Sequence, residues 1–420
     1  MLFTKEITKI TFEDVVNFCK EQIRESINLD YKREFPTDLE KTISSFANTM
    51  SGLIIIGVED KDGKPKLPVK GLKYEKGFNE RVINIILSNI YPPVFPEIQV
   101  CDPIRNRTFV IIRVPQSNMT PHYIRHRTKI YIRTGDITQP ERLAPAEQIE
   151  WLWNRRKKSK ELKELLYATA SERYNNYIKL HKLSGIPFGE ATISIAPLYP
   201  IEPYKSPQEI KQISETIKVN GYHEEFPYLQ YGKIRPIQGG IASFFFNKET
   251  QDIGYTELNQ FGLIYHKEDL GYLEEIKTEK EGVEKIKEVK RTYFVQIIKL
   301  IDLFLEVSAN LYEKLGYWGL VEFKFSLEKL LGIELMEIGK EMFRPPWEQD
   351  NISIDERVKW QRVYYVNEIK NKRAELLIEL LRDIGWSLGW EHITEDKIKE
   401  ILKKYGRLPE IEVSSQTSSP

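Results

Sequence analysis

The stretch from Glu25 to Asp60, ESINLDYKREFPTDLEKTISSFANTMSGLIIIGVED, restricts the possible folds more than any other segment. Leu53-Ile54-Ile55-Ile56 is uniformly apolar and mostly β-branched, as expected of a central strand covered on both faces. Gly57-Val58-Glu59-Asp60 carries that strand to its end, where Asp60 emerges, and Asp62-Gly63 makes the next turn. Upstream, Leu39, Ile43, Phe46, Ala47 and Met50 fall on one stripe at helical spacing. Pro36 blocks extension toward the N-terminus, Thr37 to Glu40 reads as a capping box, and Ser51-Gly52 offers a left-handed stop. From Asn28 to Phe35 the period is two. Leu29 and Tyr31 share one face and Asp30 and Lys32 the other, which predicts a strand half-buried on a core. Glu25 has the wrong parity for the Asp30 face, so it is placed on the turn leading into the strand and reaching over. Strand, helix and buried strand thus bring three carboxylates, Glu25, Asp30 and Asp60, to where a site can form.

Three segments together resemble a known family. They are Glu25-x4-Asp30-Tyr31-Lys32, Ile43-Ser44-Ser45-Phe46-Ala47-Asn48-Thr49 and Ile55-Ile56-Gly57-Val58-Glu59-Asp60, followed later by Tyr131-Ile132-Arg133-Thr134-Gly135. In this order they resemble the Schlafen AlbA-type domain, over about residues 21–153. Nuclease members of that family cut RNA with a metal-binding acidic triad. The resemblance implies that Glu25, Asp30 and Asp60 would hold Mg²⁺ or Mn²⁺ and act catalytically, with Lys32 beside them. Asp30 stands where the family pattern has Glu, one methylene shorter, and Ser51 replaces the first Gly of a pair. Other members are described as nucleic-acid-binding, regulatory or ATP-binding proteins.

The chain has 420 residues and a formal net charge of zero, so no global field draws it to nucleic acid. Attraction must come from local segregation of charge. Between Asp102 and Arg133 stand Arg105, Arg107, Arg113, Arg125, Arg127, Lys129 and Arg133 against the single acid Asp102. His122, Tyr123, His126 and Tyr131 are interleaved. Cations among aromatics suit phosphates and bases, which makes Arg107, Arg113, Tyr123, Arg125, Arg127, Lys129 and Arg133 candidate nucleic-acid contacts. The same pattern also describes a solvated hairpin. Arg155-Arg156-Lys157-Lys158-Ser159-Lys160 is a second basic run, read either as a solvated linker face or as phosphate-contacting.

Other chemistries are excluded or left without support. Two cysteines, Cys19 and Cys101, are too few for a disulfide framework or a Cys-rich zinc site. No G-x-x-x-x-G-K-[ST], H-E-x-x-H or G-x-S-x-G motif occurs. His122 and His126 sit in a strand-like run, where spacing by four does not place a metal between them. No apolar run approaches the roughly 20 residues a bilayer span needs, and the acid-bearing N-terminus does not read as a secretory signal. A soluble cytoplasmic protein is the default expectation.

The predicted fold class is α+β. Residues 1–153 form the AlbA-type sheet-and-helix domain and 154–340 a second α+β domain. Residues 341–410 form a helical segment and 411–420 a disordered tail. Helices are expected from Thr11 to about Lys20 or Ile23 and from Asn79, the latter with a Val82, Ile83, Ile86, Leu87, Ile90 stripe. Strands are expected at 97–101, 108–114 and 129–133, and a helix opens at Pro145. Downstream, a helix from Lys160 to Leu183, a capping box at Ser206 to Glu209, a helix closed by Leu315-Gly316 and a half-buried strand at Val321, Phe323 and Phe325 are read. Trp386 and Trp390 are assigned to a core, with a partner surface as the alternative. Two functions follow: a divalent-metal endoribonuclease acting on structured, tRNA-like RNA, or a non-catalytic RNA- or DNA-binding regulator whose C-terminal half serves dimerisation or ligand sensing. Nucleotide binding without hydrolysis is a third.

Overall fold

The computed structural model describes residues 2, 5, 7–135, 139–183, 188–200, 203–221, 224–227, 234–247, 253–280, 283–317, 319–336, 352–388, 394–404 and 407. Two compact units divide the chain, Met1–Glu161 and Leu162–Pro420. The first contains α1 (Phe12–Lys20), β1 (Leu29–Lys32), α2 (Leu39–Thr49), β2 (Gly52–Ile56), β3 (Asp60–Lys61), β4 (Lys64–Pro65), β5 (Leu72–Lys73) and α3 (Phe78–Asn89). It continues with β6 (Ile90–Tyr91), β7 (Glu97–Val100), β8 (Arg107–Thr108), β9 (Val110–Val114), β10 (Tyr123–Ile124), β11 (Lys129–Arg133), β12 (Glu141–Leu143) and the start of α4 (Ala146–His181).

A sheet of order β1-β2-β9-β7 forms the centre. β1 runs parallel to β2, pairing Leu29 with Leu53 through Lys32 with Ile56, and β9 is antiparallel to both β2 and β7. Alternation sorts the side chains. Leu29, Tyr31, Leu53, Ile55, Phe109 and Ile111 pack with Val15, Phe18 and Cys19 of α1. Ile54, Ile56, Val110 and Ile112 pack with α2 and α3 on the other face. Both thiols are buried, which pushes them up to about 12 and leaves them inert. A second sheet, β12-β11-β10-β6, is antiparallel throughout.

α2 lies between the two sheets and is nearly all buried, polar residues included. Its termini differ from expectation. The N-cap is Asp38, with no side-chain cap, so N3 becomes Lys41 and Thr37 and Glu40 fall out of register for a capping box. At the other end, Met50 is extended and Gly52 belongs to β2. Glycine is required at 52 by packing instead: a Cβ there would lie 2.1 Å from the Phe46 ring. β1 is also covered on both faces, because Asp30 is as buried as its apolar neighbours. On α3, Val82, Ile86 and the following Ile90 are buried, whereas Ile83 and Leu87 are exposed.

α4 is one continuous helix, where the sequence suggests one helix opening at Pro145 and another at Lys160 with the basic run at their junction. Lys, Arg and Glu are good helix formers, and Arg155 is folded inward: its guanidinium donates to the carbonyls of Ala47 and Ser117 and lies 4.9 Å from the Trp151 ring. Burial lowers it to about 10.

The second unit contains β13 (Glu190–Pro197), α5 (Pro207–Thr216), β14 (Val219–Gly221), β15 (Glu224–Phe226), β16 (Arg235–Ile237), β17 (Gly240–Phe246), β18 (Ile253–Asn259) and β19 (Ile264–Asp269). It continues with β20 (Gly271–Lys280), β21 (Val283–Tyr293), α6 (Phe294–Leu315), β22 (Leu320–Glu328), β23 (Glu334–Met336), β24 (Arg357–Tyr365), α7 (Val366–Asn371), α8 (Arg373–Ser387) and α9 (Glu395–Lys404). An antiparallel sheet of order β16-β17-β18-β19-β13-β22-β24 carries α6 on one face, with Val366, Ile369, Leu377 and Leu381 of α7 and α8 in the same core. Tyr167, Ala170 and Tyr174 of α4 cover the other face, against Ala196, Tyr255 and Tyr265. The Ser206–Glu209 capping box forms, and Gly316 closes α6 in the left-handed region at φ 68°. Glu322, which alternates with Val321 and Phe323 on β22, is also buried and is paired with Lys163 at 2.8 Å. Trp386 is 68% exposed rather than in a core; Trp390, the segment 341–350 and the tail 411–420 lie outside the described residues. Among the described residues no helix is long and apolar enough to cross a membrane.

Candidate nucleic-acid interface

The three carboxylates sit around the start of β1. Glu25 reaches over from the preceding turn, and its Oε1 accepts the Tyr31 N–H at 2.7 Å. Asp60 opens β3, is exposed, and accepts the Gly63 N–H at 3.2 Å. Burial pushes the Glu25 carboxyl above the ordinary glutamate range, and the Asp30 and Asp60 charges push it the same way. The three acids therefore share one field.

Asp30 is already neutralised. Its Oδ1 lies 3.1 Å from Arg133 Nη1 and its Oδ2 2.6 Å from Lys32 Nζ. Arg133 is 3% exposed. It also donates to Glu141 Oε1 at 3.1 Å and to the Ser26 carbonyl at 3.0 Å, and its guanidinium lies 4.3 Å from the Phe46 ring centre. Glu141 in turn accepts the Thr42 hydroxyl at 2.8 Å. Burial pulls the Lys32 ammonium down, but Asp30 outweighs it, so Lys32 stays above its usual value. Arg133 is thus an internal counterion, not a phosphate contact. Arg113 is likewise structural, donating to Glu97 at 3.0 Å and to the carbonyls of Leu2 and Lys5.

The remaining basic residues divide between two places. Arg107 is exposed on β8, donating to the Gly71 carbonyl at 3.2 Å. Arg125, Arg127 and Lys129 are exposed on and beside the β10–β11 turn. The register places Tyr91, Tyr123 and Ile130 abreast, and Ile132 opposite Arg142, on the face of the second sheet turned away from Arg133 and Tyr131. Tyr91 is 48% exposed, its ring 5.5 Å from that of Tyr123 and 5.8 Å from the Arg125 guanidinium. His126 Nε2 lies 3.1 Å from Asn89 Oδ1 at the end of α3. His122 is different. It is fully buried, its Nδ1 contacts the Pro92 carbonyl at 2.6 Å, and burial lowers it to about 4, so it is neutral near pH 7.

The family model described as Schlafen, AlbA_2 matches residues 23–142, the segment that holds both sheets, the acidic cluster and the basic turn. The first unit carries a Schlafen AlbA-type domain. Among solved structures, the N-terminal domain of a RecG-related protein from Nitrosomonas europaea aligns with 17% identity and a TM-score of 0.23, over 28% of this chain and 81% of that one. No curated protein matches the chain.

Within the AlbA-type domain, the quoted motifs have an architectural use. Asn48 Oδ1 accepts the His122 N–H at 2.8 Å, and its Nδ2 donates to the carbonyls of His122 at 2.8 Å and Tyr131 at 2.9 Å. Thr49 Oγ1 accepts the Arg133 N–H at 2.8 Å. The Phe-Ala-Asn-Thr segment thus ties α2 to the second sheet and presents Arg133 to Asp30. The pairing of Arg133 with Asp30 and Glu141 was not anticipated from the sequence. The available clue was an arginine at the end of a strand, in register with an acid across it.

A divalent cation does not fit the acids as arranged. Asp30 faces two cations, and one oxygen of Glu25 and one of Asp60 already accept backbone N–H groups. Among the described residues no group of three His, Cys, Asp or Glu side chains is placed to hold a metal ion.

Proposed function

We propose that the AlbA-type domain binds nucleic acid, RNA in preference to DNA, on the outer face of the β6–β10–β11–β12 sheet. The observation carrying this reading is the exposed Tyr91 ring with Arg125 beside it and the exposed Arg127 in the adjoining turn. Guanidinium and ammonium groups engage phosphates without regard to sequence, and exposed aromatic faces accept unstacked bases. Local charge segregation substitutes for the missing net charge. Replacing Arg125 and Arg127 together by alanine is expected to weaken RNA binding in fluorescence anisotropy and to reduce the slope of log K against log salt by about 2. An unchanged slope would remove this face from the interface.

RNA cleavage at Glu25, Asp30 and Asp60 is the second reading; it rests on the grouping of the three acids around the start of β1, and the pairing of Asp30 with Arg133 and Lys32 counts against it. A labelled tRNA pool incubated with Mg²⁺, Mn²⁺ or EDTA tests it. Cutting that needs metal and is lost in Asp60→Asn supports cleavage. Retained gel shifts with no cutting by either protein leave a binding regulator, with the Arg133–Asp30 pair as the physical reason.

A further inference from the structure

An open groove of about 620 Å³ runs beside α3. Thr37, Arg81, Asn84, Ser88 and Asn89 line it, and Ile85 gives it an apolar floor. Arg81 is exposed at one end, its guanidinium 4.4 Å from the Phe35 ring centre, and Phe35 is itself stacked on Phe78 at 5.1 Å. Asn89 lines the other end. Its carbonyl accepts the Arg125 N–H at 2.8 Å and its side chain contacts His126, so the groove opens toward the Tyr91–Arg125 pair. From Arg81 to Asn89 the helix advances about 12 Å. An arginine–aromatic pair therefore stands at each end, with amides and hydroxyls between them and Glu80 as the only acid in the lining.

We infer that this groove is a track for single-stranded nucleic acid, leading from Phe35–Arg81 to Tyr91–Arg125. The inference rests on the nucleic-acid reading above and specifies its substrate class. Each part of the groove matches an unpaired strand. Arginines hold phosphates, Asn and Ser offer donors and acceptors to base edges or a 2′-hydroxyl, and the exposed Tyr91 ring accepts a base that a duplex would keep stacked on its neighbours. A duplex keeps its base faces stacked away and would meet the exposed basic turn chiefly through its backbone, without entering the groove.

The test measures anisotropy of a labelled oligouridine strand and of a blunt RNA duplex of equal length with the full chain. Wild type, Arg81→Ala, Ser88→Glu and the Arg125→Ala/Arg127→Ala double variant are compared, each checked for an unchanged melting temperature. The expected result is preference for the single strand, and about tenfold weaker single-strand binding in both Arg81→Ala and Ser88→Glu with duplex binding unaltered. If single-strand binding ignores both groove variants but falls in the double variant, the groove is overturned and the basic-face reading stands. If wild type binds neither probe, both are overturned.

Discussion

Replacing Arg133 by alanine is expected to destabilise the AlbA-type domain by about 3–5 kcal/mol, the range for breaking a buried ion pair by removing one partner. Nothing else among the described contacts would neutralise Asp30 from that side. The substitution strips Asp30 Oδ1 and Glu141 Oε1 of a shared donor, leaves the Ser26 carbonyl only the Leu29 N–H and uncovers the Phe46 ring. Asp30→Asn in the same background should restore part of the loss, because a neutral amide no longer needs the cation. Urea unfolding of the single and double variants, read as a double-mutant cycle, measures the coupling. Full additivity would mean that the two side chains do not depend on each other.

Asn48→Ala carries the second large effect, about 3 kcal/mol. It leaves the buried His122 N–H without its acceptor and the carbonyls of His122 and Tyr131 without a shared donor, each buried unsatisfied group costing roughly 1–3 kcal/mol. Because that amide fastens the second sheet to α2, the loss should also loosen β10 and β11. Hydrogen exchange at Tyr123 and Tyr131 is expected to accelerate before that of β2, and RNA affinity should fall in parallel. Uniform exchange across the domain would argue against a local role for Asn48.

Local periodicity in the sequence was enough to place β2, α2, β9, β11 and α6, because a strand covered on both faces and an amphipathic helix are written in consecutive residues. Asp62-Gly63, the Ser206–Glu209 box and Gly316 were legible for the same reason. What local pattern could not supply was the partner of a buried charge. Asp30 looked like one member of a wet, charged strand face because its counterion lies on β11, far along the chain. Arg133 looked like a phosphate contact because a run of basic residues does not distinguish the inward member from the outward ones. Alternation along β11 does so only once the two sheets are known to face each other through α2. Gly52 was read as a helix stop when its function is to admit the Phe46 ring.

The Asp30–Arg133 pair also sets a timetable. The acid is synthesised early and its cation 103 residues later. At about 5–20 residues per second the delay is roughly 5–20 s. Through that interval β1, α2 and β2 can gather, yet Asp30 has only Lys32 as a counterion and its Oδ1 waits for the arginine. The late strands of the AlbA-type domain are therefore what commits its first ones to their final place.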